Sequence, residues 1–222
     1  QGASFQVPFN NKNLLLVACL SLTFFFLAEI CSSFPELLSR DSAVSIPGDS
    51  IYFGIPLASA AMIICLFLGL AVAVPMAMVL AIGFAFIFQN RFEMFLYFLI
   101  SGTMAAYWLR SCRERKVFII AGTKLGLLNI VIATAIHLYM GELSTPKLIW
   151  DWAFAFMGGV VAGILTAGIV PLVEIAFDYT TDITLLELAQ LDRPIMRRLM
   201  IEAPGTYHHS VIVGSLVEAA AT

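Results

Sequence analysis

The sequence predicts an all-α protein: a polytopic transmembrane helical bundle of six spans, followed by a helical connector and one further helix. Three observations predict it. Hydrophobic residues make up 60% of the 222 positions and charged residues only 12%, with a mean hydropathy of +0.93, far outside soluble globular usage. Apolar runs long enough to cross a hydrocarbon core of roughly 30 Å recur from Leu14 to Ile175. After Asp178 the pattern changes to short polar segments with one-sided apolar stripes.

Residues 1–13 are polar and turn-rich, with Pro8 and the Asn10-Asn11 pair, and read as a connector from an upstream segment. The bundle occupies residues 14–177. Its first span, 14–33, is interrupted only by Glu29, and a polar loop with Glu36, Arg40, Asp41, Pro47-Gly48 and Asp49 follows. Residues 51–90 carry no charge and are about twice as long as one crossing needs, so they form two spans, 51–69 and 71–89, reversing between Gly69 and Pro75. A short turn, Gln89-Asn90-Arg91, leads to the fourth span, 92–109. The fifth, 117–140, and the sixth, 150–175, flank a loop from Gly141 to Lys147.

Arg110, Arg113, Arg115 and Lys116 face Glu114 alone and form the most basic connector, which the positive-inside rule places in the cytoplasm. Alternation then puts residues 1–13 and everything after 176 on that side. The opposite loops are net acidic. The protein is thus expected in the inner cell membrane, with its C-terminal part in the cytoplasm. The overall charge of −3 is small and uninformative, and no basic block is long enough to suggest a nucleic-acid polymer, so none is expected as partner. Cys19, Cys31, Cys65 and Cys112 lack paired spacing and suggest neither a disulfide framework nor a zinc site.

An ionisable group at mid-bilayer costs roughly 2.5 to 3.5 kcal/mol on insertion scales, so each deserves a functional reading first. Glu29, His137 and Glu174 lie near span ends and Lys124 about two turns in, so all four are expected to be boundary residues, not an ion pathway. Gly122 and Gly126, with Gly159, Gly163 and Ala167, have small-xxx-small spacing. That spacing serves either packing of the fifth span on the sixth or a dimer face; packing is the expectation, because both helices have internal partners. Tyr52, Trp108, Tyr139, Trp150 and Trp152 fall near span ends as interfacial anchors.

Residues 178–201 form the connector. Thr181-Asp182 offers a helix cap, Leu185, Leu186, Leu188 and Leu191 make a stripe, and Pro194 opens a second helix bearing Arg197 and Arg198. The connector is expected to lie on the inner leaflet, pair with its twin in a homodimer, or dock on the domain that follows. At 202–222, Pro204-Gly205 breaks the chain and Thr206 caps a new helix whose first turn carries His208 and His209. Val211, Val213, Leu216 and Val217 supply its apolar face. The two imidazoles point about 100° apart, so only one faces a given site. One histidine makes no metal centre, and on residue type alone a capping or partly buried role is the plainer reading.

The run from Leu185 to Ala221, LLELAQLDRPIMRRLMIEAPGTYHHSVIVGSLVEAAA, resembles the entry into the cytosolic domain of the seven-transmembrane-receptor HD phosphohydrolases, whose members include cyclic-di-AMP phosphodiesterases. The resemblance implies a helical hydrolase in which His and Asp residues hold two divalent transition-metal ions, Mn or Fe. His209, directly before Ser210, is then the first metal ligand and His208 its non-ligand neighbour. The implied substrate is a cyclic dinucleotide, cyclic di-AMP opened to linear pApA, under control of a membrane or extracytoplasmic sensor. Asp192-Arg193 stands where the family carries Asn-His before the proline, and no His here is followed by Asp. The chain alone is therefore expected to be a catalytically inactive fragment. The alternatives are a transporter or channel, and a receptor without hydrolase activity; both explain the composition and leave the EAPGTYHHS string unexplained.

Overall fold

A computed structural model describes residues 10–33, 47–88, 91–110, 112, 114–141, 147–188 and 194–221. The expected features of 1–9, 34–46, 89–90, 113, 142–146 and 189–193 lie outside these. The described residues are helical with no strand, and six segments are long and apolar enough to cross a membrane. Two compact units result, residues 1–179 and 180–222.

The first unit is the bundle. Helix α1 runs Asn11–Ser32. A 3-10 helix, Gly48–Gly54, leads through Ile55 and Pro56 into α2, Ala58–Leu68. Helices α3 (Leu70–Ile87), α4 (Phe92–Leu109), α5 (Lys116–Met140) and α6 (Lys147–Phe177) complete it. Helix α2 is the core: every residue from Ala58 to Cys65 is buried, enclosed by α1, α3, α4 and α6. It carries no charge, so nothing opposes burial on all sides.

The reversal between the second and third spans takes place at one residue. Gly69 adopts φ +81°, a backbone conformation that costs a side chain but not glycine, and its amide still bonds to the Cys65 carbonyl. The arms then run antiparallel: Tyr52 packs on Phe88 at 4.8 Å between ring centroids, and Ala61 and Ala77 both border Gly102 of α4. Tyr52 is thereby buried in the aromatic core with Phe53, Tyr97 and Phe98, not at an interface. The sequence expectation for Tyr52 is corrected by its position on the inward side of the 3-10 helix.

Contacts at the two ends show how the crossings alternate. At one end Lys12 donates to the Asp178 carbonyl at 2.8 Å and lies over the Tyr179 ring, whose hydroxyl donates to Asn13 and whose face meets Phe67. The start of α1, the Gly69 turn and the chain's exit from α6 therefore share that end. At the other end Asp49 pairs with Arg91 at 2.9 Å and with Lys147 at 3.6 Å, joining three elements.

Helices α5 and α6 form the most intimate pair. The Gly159 Cα faces α5 so closely that a Cβ there would lie 2.2 Å from the Gly126 nitrogen, and one on Gly163 would lie 2.6 Å from the Phe118 oxygen. The glycine spacing thus packs the two helices of one bundle, since only a hydrogen leaves room for that approach. Gly159→Leu is expected to destabilise the bundle by at least about 1–3 kcal/mol, the range for overpacking a filled core. Thermal unfolding in detergent checks this. Gly168→Leu is the control, because a Cβ there meets nothing within 4 Å, and equal effects of the two would refute the account.

The second unit holds three short helices: α7 (Asp182–Leu188), α8 (Pro194–Glu202) and α9 (Pro204–Ala221). Thr181 Oγ1 accepts the Thr184 backbone N–H at 3.4 Å, capping α7. Arg198 pairs with Glu202 at 3.1 Å along α8, an exposed i,i+4 contact worth only a few tenths of a kcal/mol, roughly 0.3–0.5.

Candidate functional site

Two places in the chain gather groups able to do chemistry. The first is the start of α9. This helix begins at Pro204, earlier than the expected Thr206 cap: Ala203 is the break, and its carbonyl accepts the Tyr207 amide at 3.1 Å. Proline fits the first helical position, where its missing N–H costs nothing, so Pro204-Gly205 continues the chain into the helix and makes no reversing turn. The Ser210 hydroxyl donates back to the Thr206 carbonyl at 2.9 Å.

His208 and His209 both lie exposed on the second turn of this helix, His208 with its ring edge-on to Tyr207 at 5.7 Å. The expected apolar face is present but uncovered, with Val211, Val213, Leu216 and Val217 all exposed. Among the described residues no group of three His, Cys, Asp or Glu side chains comes together, so one exposed imidazole stands where a metal would need three or four donors. The described residues do not by themselves fit a metal ion.

The second place is inside the bundle and corrects an expectation. His137 lies in the last turn of α5, near the span end as expected, and Asp151 near the start of α6, but both side chains are buried between the two helices. The imidazole Nε2 and the Asp151 carboxylate meet at 2.5 Å between α5 and α6, with side chains 4% and 0% exposed. Sequence reasoning missed the pair because each group sits within two turns of a span end, where a side chain that faces solvent is indistinguishable in the sequence from one that faces a neighbouring helix. The available signal was spacing: both lie a similar distance from the Gly141–Lys147 connection, so antiparallel packing brings them level.

Asn129, two turns below His137, donates to the Ala155 carbonyl at 3.3 Å and extends the polar seam down the same interface. Asn129 Oδ1, His137 Nδ1 and Asp151 Oδ1 are buried with no partner among the described residues. Lys124 and Glu29, by contrast, are exposed, in keeping with positions where a charge reaches the bundle's outer surface. Outside the spans, the hydrogen bond from Arg91 to Asp49 raises the guanidinium above its ordinary value, and burial pushes the Cys112 thiol up.

Six helices long and apolar enough to cross a membrane define a multi-pass membrane protein. The chain belongs to the family of 7TM receptors with an intracellular HD hydrolase, whose model matches residues 5–181. It is 32% identical over 175 residues to the cyclic-di-AMP phosphodiesterase PgpH of Listeria monocytogenes, covering 78% of this chain and 24% of that protein. Over 222 residues it is 26% identical to the protein of the same name from Bacillus subtilis, covering 97% of this chain and 30% of the relative. An uncharacterized protein of Synechocystis is 28% identical over 130 residues, 55% of this chain and 15% of its own length. The chain thus spans less than a third of the length of these relatives. No solved structure gives a significant match.

Proposed function

We propose that this chain is the membrane portion of a metal-dependent HD phosphohydrolase that opens a cyclic dinucleotide, cyclic di-AMP to linear pApA, in the cytoplasm under the control of a membrane or extracytoplasmic sensor. One observation carries the reading: the EAPGTYHHS string opens helix α9 at Pro204, in a chain whose bundle belongs to the family named for an intracellular HD hydrolase. Two relatives named as cyclic-di-AMP phosphodiesterases support the substrate.

His209 supplies one ligand of a centre with two transition-metal ions, Mn or Fe, whose other His and Asp ligands belong to the hydrolase domain of the longer protein. Metal ions held there would supply Lewis-acid activation of the phosphodiester. His208 stands beside the centre without binding metal. The connector, residues 178–201, transmits the state of the bundle, and the side bearing Gly69 and the basic Arg110–Lys116 turn is the cytoplasmic one.

The test is hydrolysis of cyclic di-AMP by the intact protein in membranes. Turnover is expected to vanish with chelator and return with Mn or Fe, while the 222 residues alone give none. Turnover insensitive to chelation refutes the reading. Inserting three residues into the connector is expected to change the response to stimuli while the protein stays folded; unaltered basal and stimulated rates count against coupling through it.

The buried His137–Asp151 pair also favours a transporter reading, because an ionisable pair across helices is what a proton path requires. The pair lies at one end of the bundle, and among the described residues no further buried Asp, Glu, His, Lys or Arg continues towards the other. Proton flux in sealed vesicles that Asp151→Asn abolishes would establish it.

A further inference from the structure

The α4 N-terminus, at the bundle end opposite the Gly69 turn, divides two apolar grooves. One, about 360 Å³, lies between α4 and α5; Leu96, Ile100, Ile132 and Ile136 form its walls, and Glu93 lines it. The other, about 230 Å³, lies between α3 and α4; Ile82, Phe86 and Phe95 form its walls, and Arg91 lines it. Phe92 borders both and is 64% exposed, so it stands as a ridge between them. Each groove therefore has an apolar length and one charged group, and the charges are opposite in sign and two residues apart.

We propose that these grooves bind one molecule of an amine-headed phospholipid. Its two acyl chains lie on either side of Phe92, its phosphate meets Arg91 and its ammonium meets Glu93. Three observations select this occupant. The grooves open on helices long and apolar enough to cross a membrane, where the surrounding solvent is lipid tails and a water-soluble ligand would find no polar lining. The Arg91, Lys147 and Asp49 cluster holds two cations against one carboxylate, and Glu93 close by adds a second carboxylate, so this end of the bundle presents both signs of charge. Asp49 engages Arg91 through one terminal nitrogen, and a guanidinium has five N–H donors, so donors remain for a phosphate oxygen. Glu93 is partly exposed and attracts the Arg91 guanidinium through space without a hydrogen bond to it, so its carboxylate keeps acceptor positions for an ammonium.

The charge pattern thus matches a zwitterion, phosphate on one side of Phe92 and ammonium on the other. A primary ammonium donates hydrogen bonds to a carboxylate, whereas a quaternary one has no N–H, so ethanolamine headgroups are favoured over choline headgroups. A headgroup with net negative charge meets repulsion at Glu93. The site is independent of the hydrolase reading, because it rests on the bundle alone.

Native mass spectrometry of the intact protein, released from micelles containing equal phosphatidylethanolamine, phosphatidylcholine and phosphatidylglycerol of matched chain length, tests it. The expected result is one retained phosphatidylethanolamine, preferred at least fivefold over phosphatidylcholine. Glu93→Gln, a substitution on a partly exposed helix position, is expected to bring the two lipids to parity while the thermal unfolding midpoint stays within a few degrees. Equal retention of the ethanolamine and choline lipids by the unaltered protein overturns the proposal. So does a preference that survives Glu93→Gln, or a dominant phosphatidylglycerol adduct, which would mean that the basic cluster acts alone.

Discussion

Replacing His209 by alanine in the longer protein is expected to lower metal-dependent hydrolysis of cyclic di-AMP by more than about 100-fold, since groups that merely support a metal ligand already cost roughly 10- to 100-fold when removed. The side chain is exposed on the second turn of α9, so its loss leaves the fold intact. His208→Ala is the matched control. It removes an adjacent imidazole about 100° around the helix and is expected to leave at least a tenth of the activity. Measured metal content should fall with His209→Ala and hold with His208→Ala. Full activity in His209→Ala, or the larger loss in His208→Ala, would overturn the assignment of the ligand.

Removing one member of the His137–Asp151 pair is expected to destabilise the bundle by about 3–5 kcal/mol, the cost of leaving a buried charge without its partner. His137→Leu should be the more severe single change, because it strands a carboxylate that is 0% exposed and already has one unpartnered oxygen. Changing both residues to leucine should restore much of the loss, since a volume-filling apolar pair pays no desolvation. Interhelical hydrogen bonds between neutral groups in membranes average only about 0.6 kcal/mol. The size of the effect therefore decides the chemistry. Unfolding in detergent that shifts by no more than that small amount in His137→Leu would mean the pair carries no stranded charge, and this account would fail.

The bundle was legible because membrane solvent leaves so few solutions. A chain with 60% hydrophobic residues must satisfy its backbone within helices, and the long apolar runs number them. The glycine spacing at 122, 126, 159 and 163 was legible for a similar reason: small residues at that interval have meaning only where another backbone approaches. The candidate site was legible as a string of letters, EAPGTYHHS, and not as geometry. Its helix starts at Pro204, but proline suits the first helical position and the second position of a turn equally, so a pattern of breakers does not say which of the two it takes.

Composition and run length settled the class of protein, the all-helical architecture and the six candidate crossings, because transfer of apolar surface and backbone satisfaction are local sums over consecutive residues. The partners across helices were settled only by the folded bundle. Tyr52 turns into the core, Asp151 meets His137, and Arg91 and Glu93 end up lining separate grooves. Each of these depends on the rotation of one helix about its axis relative to the next. Hydropathy averaged along a span is blind to that angle, whereas a buried hydrogen bond at 2.5 Å tolerates very little error in it.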